Sequence, residues 1–348
     1  VQFKVEQDTL PIIDIRPCFN ENRTITTCHN QDLLQSIYTA CRKFGFFYLK
    51  SEGLLEKELI DKLFRLSREF FSKPVEEKMM YNMTKGGEAW RGYFRVGEEF
   101  TSGKPDQKEG YYFGREQTHE AAHSLPMHGK NIYYSLEQKQ VVEAYLSSLE
   151  WIGQQLLSLI GQSVGLQANY FQKRFEKEPT ILFRWFNYPQ QPESAPQWGV
   201  QEHTDYGFVT LLLQDDSGGL QVLNTRTMRW IEAPPIDNTL VCNIGDMLEL
   251  WLHGLIRATP HRVMNKQKHD RLSFPFFFDP SWNASLQPIP IEMIDQQKLL
   301  DHKQYHAAAA ADVYQRWDGL DLETFSQSQY GDFLWQKVKK VFPHLVRK

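Results

Sequence analysis

The sequence predicts a mainly β fold: an antiparallel barrel or jelly roll, cupin-like in outline, flanked by helices, with one long helix packed on a sheet. Three observations predict it. The runs ILFRWFNYP, FVTLLLQ, GLQVLN, RWIEAP, TLVCNIGD and RLSFPFFFDP follow one another from about residue 180 to 282, each of strand length. Turn signals such as DDSGG and NTRT separate them, with no helical periodicity in between. Upstream, Val142, Tyr145, Leu149, Ile152, Leu156, Leu159 and Ile160 recur at helical spacing across 135–164; Ser135 and Gln138 make a capping box at the start, and Gly165 lies near the end. The composition, 41% hydrophobic and 24% charged over 348 residues, is that of a globular chain long enough for a barrel and its cover.

The remaining elements follow in order. LPIIDI (10–15) suits a short buried strand. Leu33, Leu34, Ile37, Cys41 and Phe44 form a helical stripe that Gly45 stops, and FFYLK (46–50) reads as a strand. A second helix carries Ile60, Leu63, Phe64, Ser67, Phe70 and Phe71 and ends before Pro74. Residues 84–132, with WRGYF and EGYYFG, are polar, Gly-rich and aromatic: a long irregular segment with short strands, of a length that usually carries function. After 282 the chain returns to helix and loop, and HAAAAAD (306–312) is a low-complexity stretch without chemistry of its own. The expected regions are 1–125 (helices and strands), 126–177 (long helix), 178–282 (jelly-roll core) and 283–348 (C-terminal helices), together one cooperative unit.

Composition also narrows the partners. A net charge of −4 lacks the basic surplus of a nucleic-acid binder. No run approaches the roughly 18 apolar residues of a membrane helix, and VQFKVEQDTL has no apolar signal core. Cys18, Cys28, Cys41 and Cys242 form no CxxC pair; reduced, buried thiols in a cytoplasmic protein are expected, although Cys18 and Cys28 could close a small loop. The absence of heptads makes a monomer the default.

The chemistry begins at HTDYG (203–207). On a strand, positions i and i+2 share a face, so His203 and Asp205 would converge, and burying either alone is costly. A metal ion and a plain hydrogen-bonded pair both remain open on that evidence. ATPHRV supplies a third candidate, His261. Two histidines and one carboxylate leave half of an octahedron open, the facial triad of non-haem Fe(II) oxygenases. Downstream, Arg271 and Ser273 in RLSFPFF share a strand face and offer a bidentate fork and a hydroxyl to a carboxylate. In FRWFNYP, Arg184, Phe186 and Tyr188 also share a face; Tyr188 could donate a further hydrogen bond, and Arg184 would suit a carboxylate on a substrate.

At this point the sequence resembles the 2-oxoglutarate- and Fe(II)-dependent dioxygenases of the isopenicillin N synthase type, over nearly the whole chain. LPIIDI, CRKFGFFYL, REFFSKPVEEK, GEEFTSGKPDQKEGYYFG, HTDYG, GGLQV, NIGDMLELW, ATPHRV and RLSFPFF occur in the family's order. The resemblance implies a distorted double-stranded β-helix and Fe(II) held by His203, Asp205 and His261. It further implies a 2-oxoglutarate clamp of Arg271 and Ser273 helped by Tyr188, and Phe278 on the substrate side. The reaction implied consumes O2 and 2-oxoglutarate, releases succinate and CO2, and oxidises a small organic substrate, with hydroxylation first among outcomes that include desaturation, ring closure and demethylation. Two departures stand out: Phe186 replaces a usual Asn, and SEG (51–53) replaces a usual Asn-His-Gly.

Other polar and aromatic residues carry plainer expectations. The Trp90–Tyr93 and Tyr111–Phe113 clusters are core or substrate wall, with Tyr112 a candidate substrate contact. Glu98, Glu99 and Glu109 are a solvated face or local salt bridges, and His253 and His269 are surface or loop residues. Rival functions are an oxidase of the same family that does not use 2-oxoglutarate, a non-catalytic ligand-binding protein on the same fold, and a zinc hydrolase with the same three ligands; the Arg271–Ser273 pair argues against the last.

Overall fold

The computed structural model describes residues 9–101, 103–116, 125–175, 178–190, 198–264, 269–308 and 328–342. Its strands are β1 (Ile12–Ile13), β2 (Phe46–Lys50), β3 (Gly92–Phe94), β4 (Phe100–Thr101), β5 (Lys104–Pro105), β6 (Glu109–Gly114), β7 (Pro179–Tyr188), β8 (Trp198–His203), β9 (Val209–Gln214), β10 (Leu220–Asn224), β11 (Arg229–Glu232), β12 (Thr239–Ile244), β13 (His261–Met264) and β14 (Arg271–Ser281). The helices are α1 (Gln31–Lys43), α2 (Lys57–Phe71), α3 (Val75–Met79), α4 (Leu136–Ser163), α5 (Tyr170–Arg174), α6 (Asp246–Trp251), α7 (Gln296–Ala308) and α8 (Tyr330–Val338). An eight-stranded sheet runs β1-β2-β12-β9-β14-β7-β6-β3, and a four-stranded sheet runs β11-β10-β13-β8. The pairings are antiparallel except β1 with β2, and the two sheets face each other across one pocket, as the jelly roll of the double-stranded β-helix requires.

The alternation of β14 shows how the sequence builds two layers at once. Leu272, Phe274, Phe276 and Phe278 are buried. Phe274 meets Phe64 of α2 edge-on at 5.0 Å, and a Cβ at Gly153 of α4 would come within 2.9 Å of the Phe278 ring. The other face of β14, with Arg271, Ser273, Pro275, Phe277 and Asp279, lines the pocket. Phe278 therefore packs under α4. Its expected place on the substrate side is corrected by strand parity: counted from Arg271, an even position cannot share the face of the odd ones.

The long helix starts where its cap was expected. The Ser135 hydroxyl accepts from the Gln138 N–H at 3.0 Å, but the Gln138 side chain accepts from Tyr134 N–H, at 2.9 Å, one residue before the position a capping box would use. Its seven predicted stripe residues are fully buried. Gly45 ends α1 with φ +64°, and a Cβ there would lie 2.2 Å from the Arg257 carbonyl oxygen, so both conformation and space demand glycine. Of LPIIDI, only Ile12 and Ile13 pair, on the edge of the large sheet.

Two expectations about composition are revised. Cys18 and Cys28 form a disulfide, with Cα atoms 5.3 Å apart. Polar contacts on α4 hold the loop between them: Gln155 accepts from Ile25 N–H and Gln162 from Cys28 N–H, both at 2.8 Å. Cys41 and Cys242 are free and buried, as expected. Of the two readings of the acidic residues in the irregular segment, salt bridges hold, and for Glu99 and Glu109 the solvated face does not. Glu99 and Glu109 are buried; Glu109 pairs with Lys78 at 2.7 Å and Glu99 with Lys108 at 2.8 Å, while Glu98 pairs locally with Arg95. Most of HAAAAAD lies outside the described residues. Among the described residues, no helix is long and apolar enough to cross a membrane.

A candidate metal centre and its pocket

His203 is the last residue of β8 and His261 the first of β13, and they are direct cross-strand partners in the small sheet. Their imidazole centroids lie 4.2 Å apart. Asp205 joins them from beyond the strand end, so the HxD pair converges through a turn rather than through the strand alternation that the spacing suggested. One Asp205 oxygen sits 3.8 Å from the Nε2 atom of each histidine. Candidate ligand atoms of the three residues all fall within 4.8 Å of one another.

The surroundings fix this arrangement. His203 Nδ1 meets the Gln201 carbonyl at 2.7 Å and His261 Nδ1 the Thr259 carbonyl at 3.2 Å. A carbonyl can only accept, so each Nδ1 carries the proton and each Nε2 turns a lone pair toward the shared point. The second Asp205 oxygen accepts from Thr210 at 2.5 Å and from Asn243 at 2.7 Å, which leaves the first for a ligand. Burial depresses the His203 pKa, and burial together with the neighbouring His203 takes His261 down to about 4, so both rings are neutral at pH 7. Burial works to raise the Asp205 pKa, but the facing histidines and its two hydrogen bonds outweigh it and hold the carboxyl below its ordinary value. Neutral imidazoles and an ionised carboxylate are the forms that bind a metal.

The glycine of HTDYG has its own reason. A Cβ at Gly207 would lie 1.5 Å from Asp279 Oδ1. That carboxylate accepts from Phe208 N–H at 3.0 Å and from the Tyr330 hydroxyl of α8 at 2.7 Å. Burial lifts the Asp279 pKa to about 7. The loop that presents Asp205 is thereby clamped between β14 and the start of α6, whose Asp246 N–H donates to the Asp205 carbonyl at 2.7 Å.

On the pocket face of β14, Arg271 is 1% exposed. Its Nε donates to the Gly218 carbonyl at 2.7 Å and one terminal nitrogen to Gln214 at 3.3 Å. Its Nη1 is buried without a partner. The guanidinium lies 4.8 Å from the Tyr188 ring centroid, and Ser273 and Tyr188 line the pocket beside it. A buried guanidinium with an unmet donor beside a hydroxyl is a fitting cradle for a carboxylate, and the donor set of the triad suits Fe(II).

Arg184 also lines the pocket, whereas Tyr112 stands behind it, its ring 4.3 Å from the guanidinium and its hydroxyl donating to Glu99. The expected direct substrate contact at Tyr112 is therefore replaced by a supporting one. Trp90 reaches the pocket wall; Tyr93, Tyr111 and Phe113 belong to the core. Sequence reasoning missed Thr210, Asn243, Lys108 and Asp279. The signal for Asn243 was available: a single amide inside the apolar strand TLVCNI needs a buried partner. Asn243→Ala is expected to weaken iron binding roughly 10–100-fold by releasing one side of Asp205; anaerobic Fe(II) titration measures it, and unchanged affinity would count against this role.

A jelly roll whose sheets converge on two histidines and a carboxylate, with a guanidinium on the neighbouring strand face, defines the class of non-haem iron oxygenases. Comparison with known proteins gives the family. Residues 10–135 match the model of the N-terminal region of non-haem dioxygenases in morphine synthesis, and residues 166–280 that of the 2OG-Fe(II) oxygenase superfamily. The chain is 42% identical to a probable iron/ascorbate oxidoreductase of Dictyostelium discoideum, over 98% of each chain. It is 33% identical to a 1-aminocyclopropane-1-carboxylate oxidase of the same organism, over 99% of this chain and 98% of that one. The crystal structure of a full-length Neurospora crassa protein in complex with alpha-KG superposes with a TM-score of 0.71 at 27% identity, covering 96% of this chain and 98% of that one. The chain belongs to the 2OG-Fe(II) oxygenase superfamily. It is a 2-oxoglutarate-dependent Fe(II) dioxygenase, an oxidoreductase that uses iron, 2-oxoglutarate and O2.

Proposed function

We propose that the protein hydroxylates a small organic substrate, with iron held by His203, Asp205 and His261 and the far carboxylate of 2-oxoglutarate held by Arg271 and Ser273, Tyr188 assisting. The observation that carries the co-substrate assignment is the unpartnered Nη1 of Arg271, buried on the same strand face as Ser273. Iron with bound 2-oxoglutarate and O2 supplies the oxidising power, one oxygen atom ending in succinate and the other in the product, with CO2 released.

The chain's own residues do the rest. Nδ1 contacts to backbone carbonyls orient the imidazoles, and Thr210 and Asn243 orient the carboxylate. The apolar side chains of Leu334, Val338 and Phe342 line the pocket, and a substrate packed against them would displace water from the metal. Hydroxylation needs one substrate C–H bond held at the metal. Desaturation or ring closure needs a second reacting group held there as well, so hydroxylation asks least of the site. A cytoplasmic monomer with no nucleic-acid partner completes the reading. The net charge of −4 and the buried free thiols Cys41 and Cys242 support it, and the Cys18–Cys28 bond is the feature against a reducing compartment.

Anaerobic addition of 2-oxoglutarate to the Fe(II)-loaded protein is expected to produce the weak visible charge-transfer band of a keto acid chelated to iron, and O2 is then expected to release succinate. Iron bound at full occupancy with no band would sink the clamp assignment. It would point instead to an oxidase that draws its electrons from the substrate.

A further inference from the structure

We propose that the substrate carries a carboxylate, held by Arg184, on an apolar body packed beneath the C-terminal helix; the proposal rests on the site reading above. Arg184 donates no hydrogen bond among the described residues, and its Nε is buried without a partner. The guanidinium lies 4.3 Å from the Tyr112 ring and 4.7 Å from the Phe277 ring. Rings on both sides hold the side chain in place and leave its donors unmet.

The neighbouring charges are already engaged. Lys108 binds Asp106 at 2.5 Å and Glu99 at 2.8 Å and lies over the Phe186 ring at 4.7 Å. Glu99 takes Lys108 on one oxygen and the Tyr112 hydroxyl on the other. Its approach to Arg184, 3.5 Å, is an ion pair without a hydrogen bond. The cluster is formally balanced in charge. Its carboxylate oxygens, including Glu99 Oε2 and Asp106 Oδ1, which accept no hydrogen bond themselves, do not accept one from Arg184 either, and a planar carboxylate is the group that meets a fork with two oxygens.

Strand register separates this site from the co-substrate clamp. Tyr188 pairs with Arg271 and Phe186 with Ser273 across β7 and β14. Arg184 lies four residues from Tyr188 on the same face of β7, which places the two guanidinium-bearing positions about 13 Å apart along the sheet. Phe186 stands between them. A 2-oxoglutarate held at Arg271 and chelating the metal therefore leaves Arg184 to a second molecule. The walls on that side are Trp90, Tyr206, Phe277, Leu334, Val338 and Phe342, which fit an apolar body.

The test uses matched probes on the Fe(II)-loaded protein at saturating 2-oxoglutarate, without O2. The probes are 3-phenylpropanoate with its primary amide and 3-(indol-3-yl)propanoate with its primary amide, each titrated against the keto-acid band. The carboxylates are expected to perturb the band with affinity at least about tenfold better than the amides, the factor that one charge-assisted hydrogen-bonded contact supplies. In Arg184→Gln that preference is expected to vanish, and Arg184→Lys, which keeps charge without the fork, should restore part of it. Equal affinity of acid and amide for the wild-type protein overturns the proposal whether or not the variants fold. So does a panel in which no carboxylate binds, or a preference that survives in Arg184→Gln. A wild-type protein with no keto-acid band before any probe is added counts against the clamp, a result distinct from all of these.

Discussion

Replacing His261 with alanine is expected to remove iron and reduce succinate release to the level of the iron-free protein. The imidazole is the first residue of its strand and faces His203 directly across the ladder. Without it, one histidine and one carboxylate remain, too few to hold a divalent ion against dilution. Asp205→Asn should fail for a complementary reason. The amide would keep the shape but lose the charge, and Thr210 and Asn243 would face it with two donors. Iron content after anaerobic dialysis is the direct readout, and circular dichroism separates metal loss from unfolding, since His261 also packs edge-on against Phe46 at 5.1 Å. Iron retained at wild-type stoichiometry in His261→Ala would remove that residue from the centre. The depressed imidazole pKa values set a sign for pH as well. Protons compete with the metal only as pH falls through the depressed range, about 4 for His261, so iron binding should persist at acidity that would protonate an ordinary histidine.

The residues that the sequence made legible are those whose type contradicts their setting. A histidine, an aspartate and an arginine inside strand-like runs demand partners, and all of them reach the pocket. Phe278 was equally legible through strand parity from Arg271, but it looked like a substrate contact only by family position. The Glu99–Lys108–Asp106 cluster was not legible. Those residues sit in a stretch with little periodicity, where acidic and basic side chains look solvated, and they are buried only in the fold, where β6 and β3 extend the large sheet beyond β7. The Cys18–Cys28 pair depends in the same way on distant contacts, the glutamines of α4 that hold its loop. Local pattern reports what a residue needs; whether a remote segment covers it is decided by the fold.

Arg271→Ala is expected to raise the dissociation constant for 2-oxoglutarate by about thirtyfold or more, the factor that corresponds to losing roughly 2 kcal/mol from a buried charge-assisted contact. Iron affinity should stay close to that of the wild type, because the Arg271 guanidinium donates to Gly218 and Gln214 rather than to any of the three ligands. Titration of the keto-acid band reads the first quantity and anaerobic iron binding the second. Those two contacts also tie β14 to the end of β9 and to the turn that follows it, so thermal stability must be measured alongside; a uniform loss of iron and co-substrate affinity would mean that the side chain is a strut. Arg271→Lys tells the two roles apart. An ammonium can sustain the contact with the Gly218 carbonyl but cannot present a planar fork, so a strut should be largely rescued by lysine whereas a carboxylate clamp should be rescued only in part. Ser273→Ala removes a single neutral donor from the same face and should cost less than either. Arg271→Ala with unchanged 2-oxoglutarate affinity would leave its buried Nη1 without a ligand to explain it and would shift the search for the co-substrate carboxylate to the other guanidinium in the pocket, Arg184.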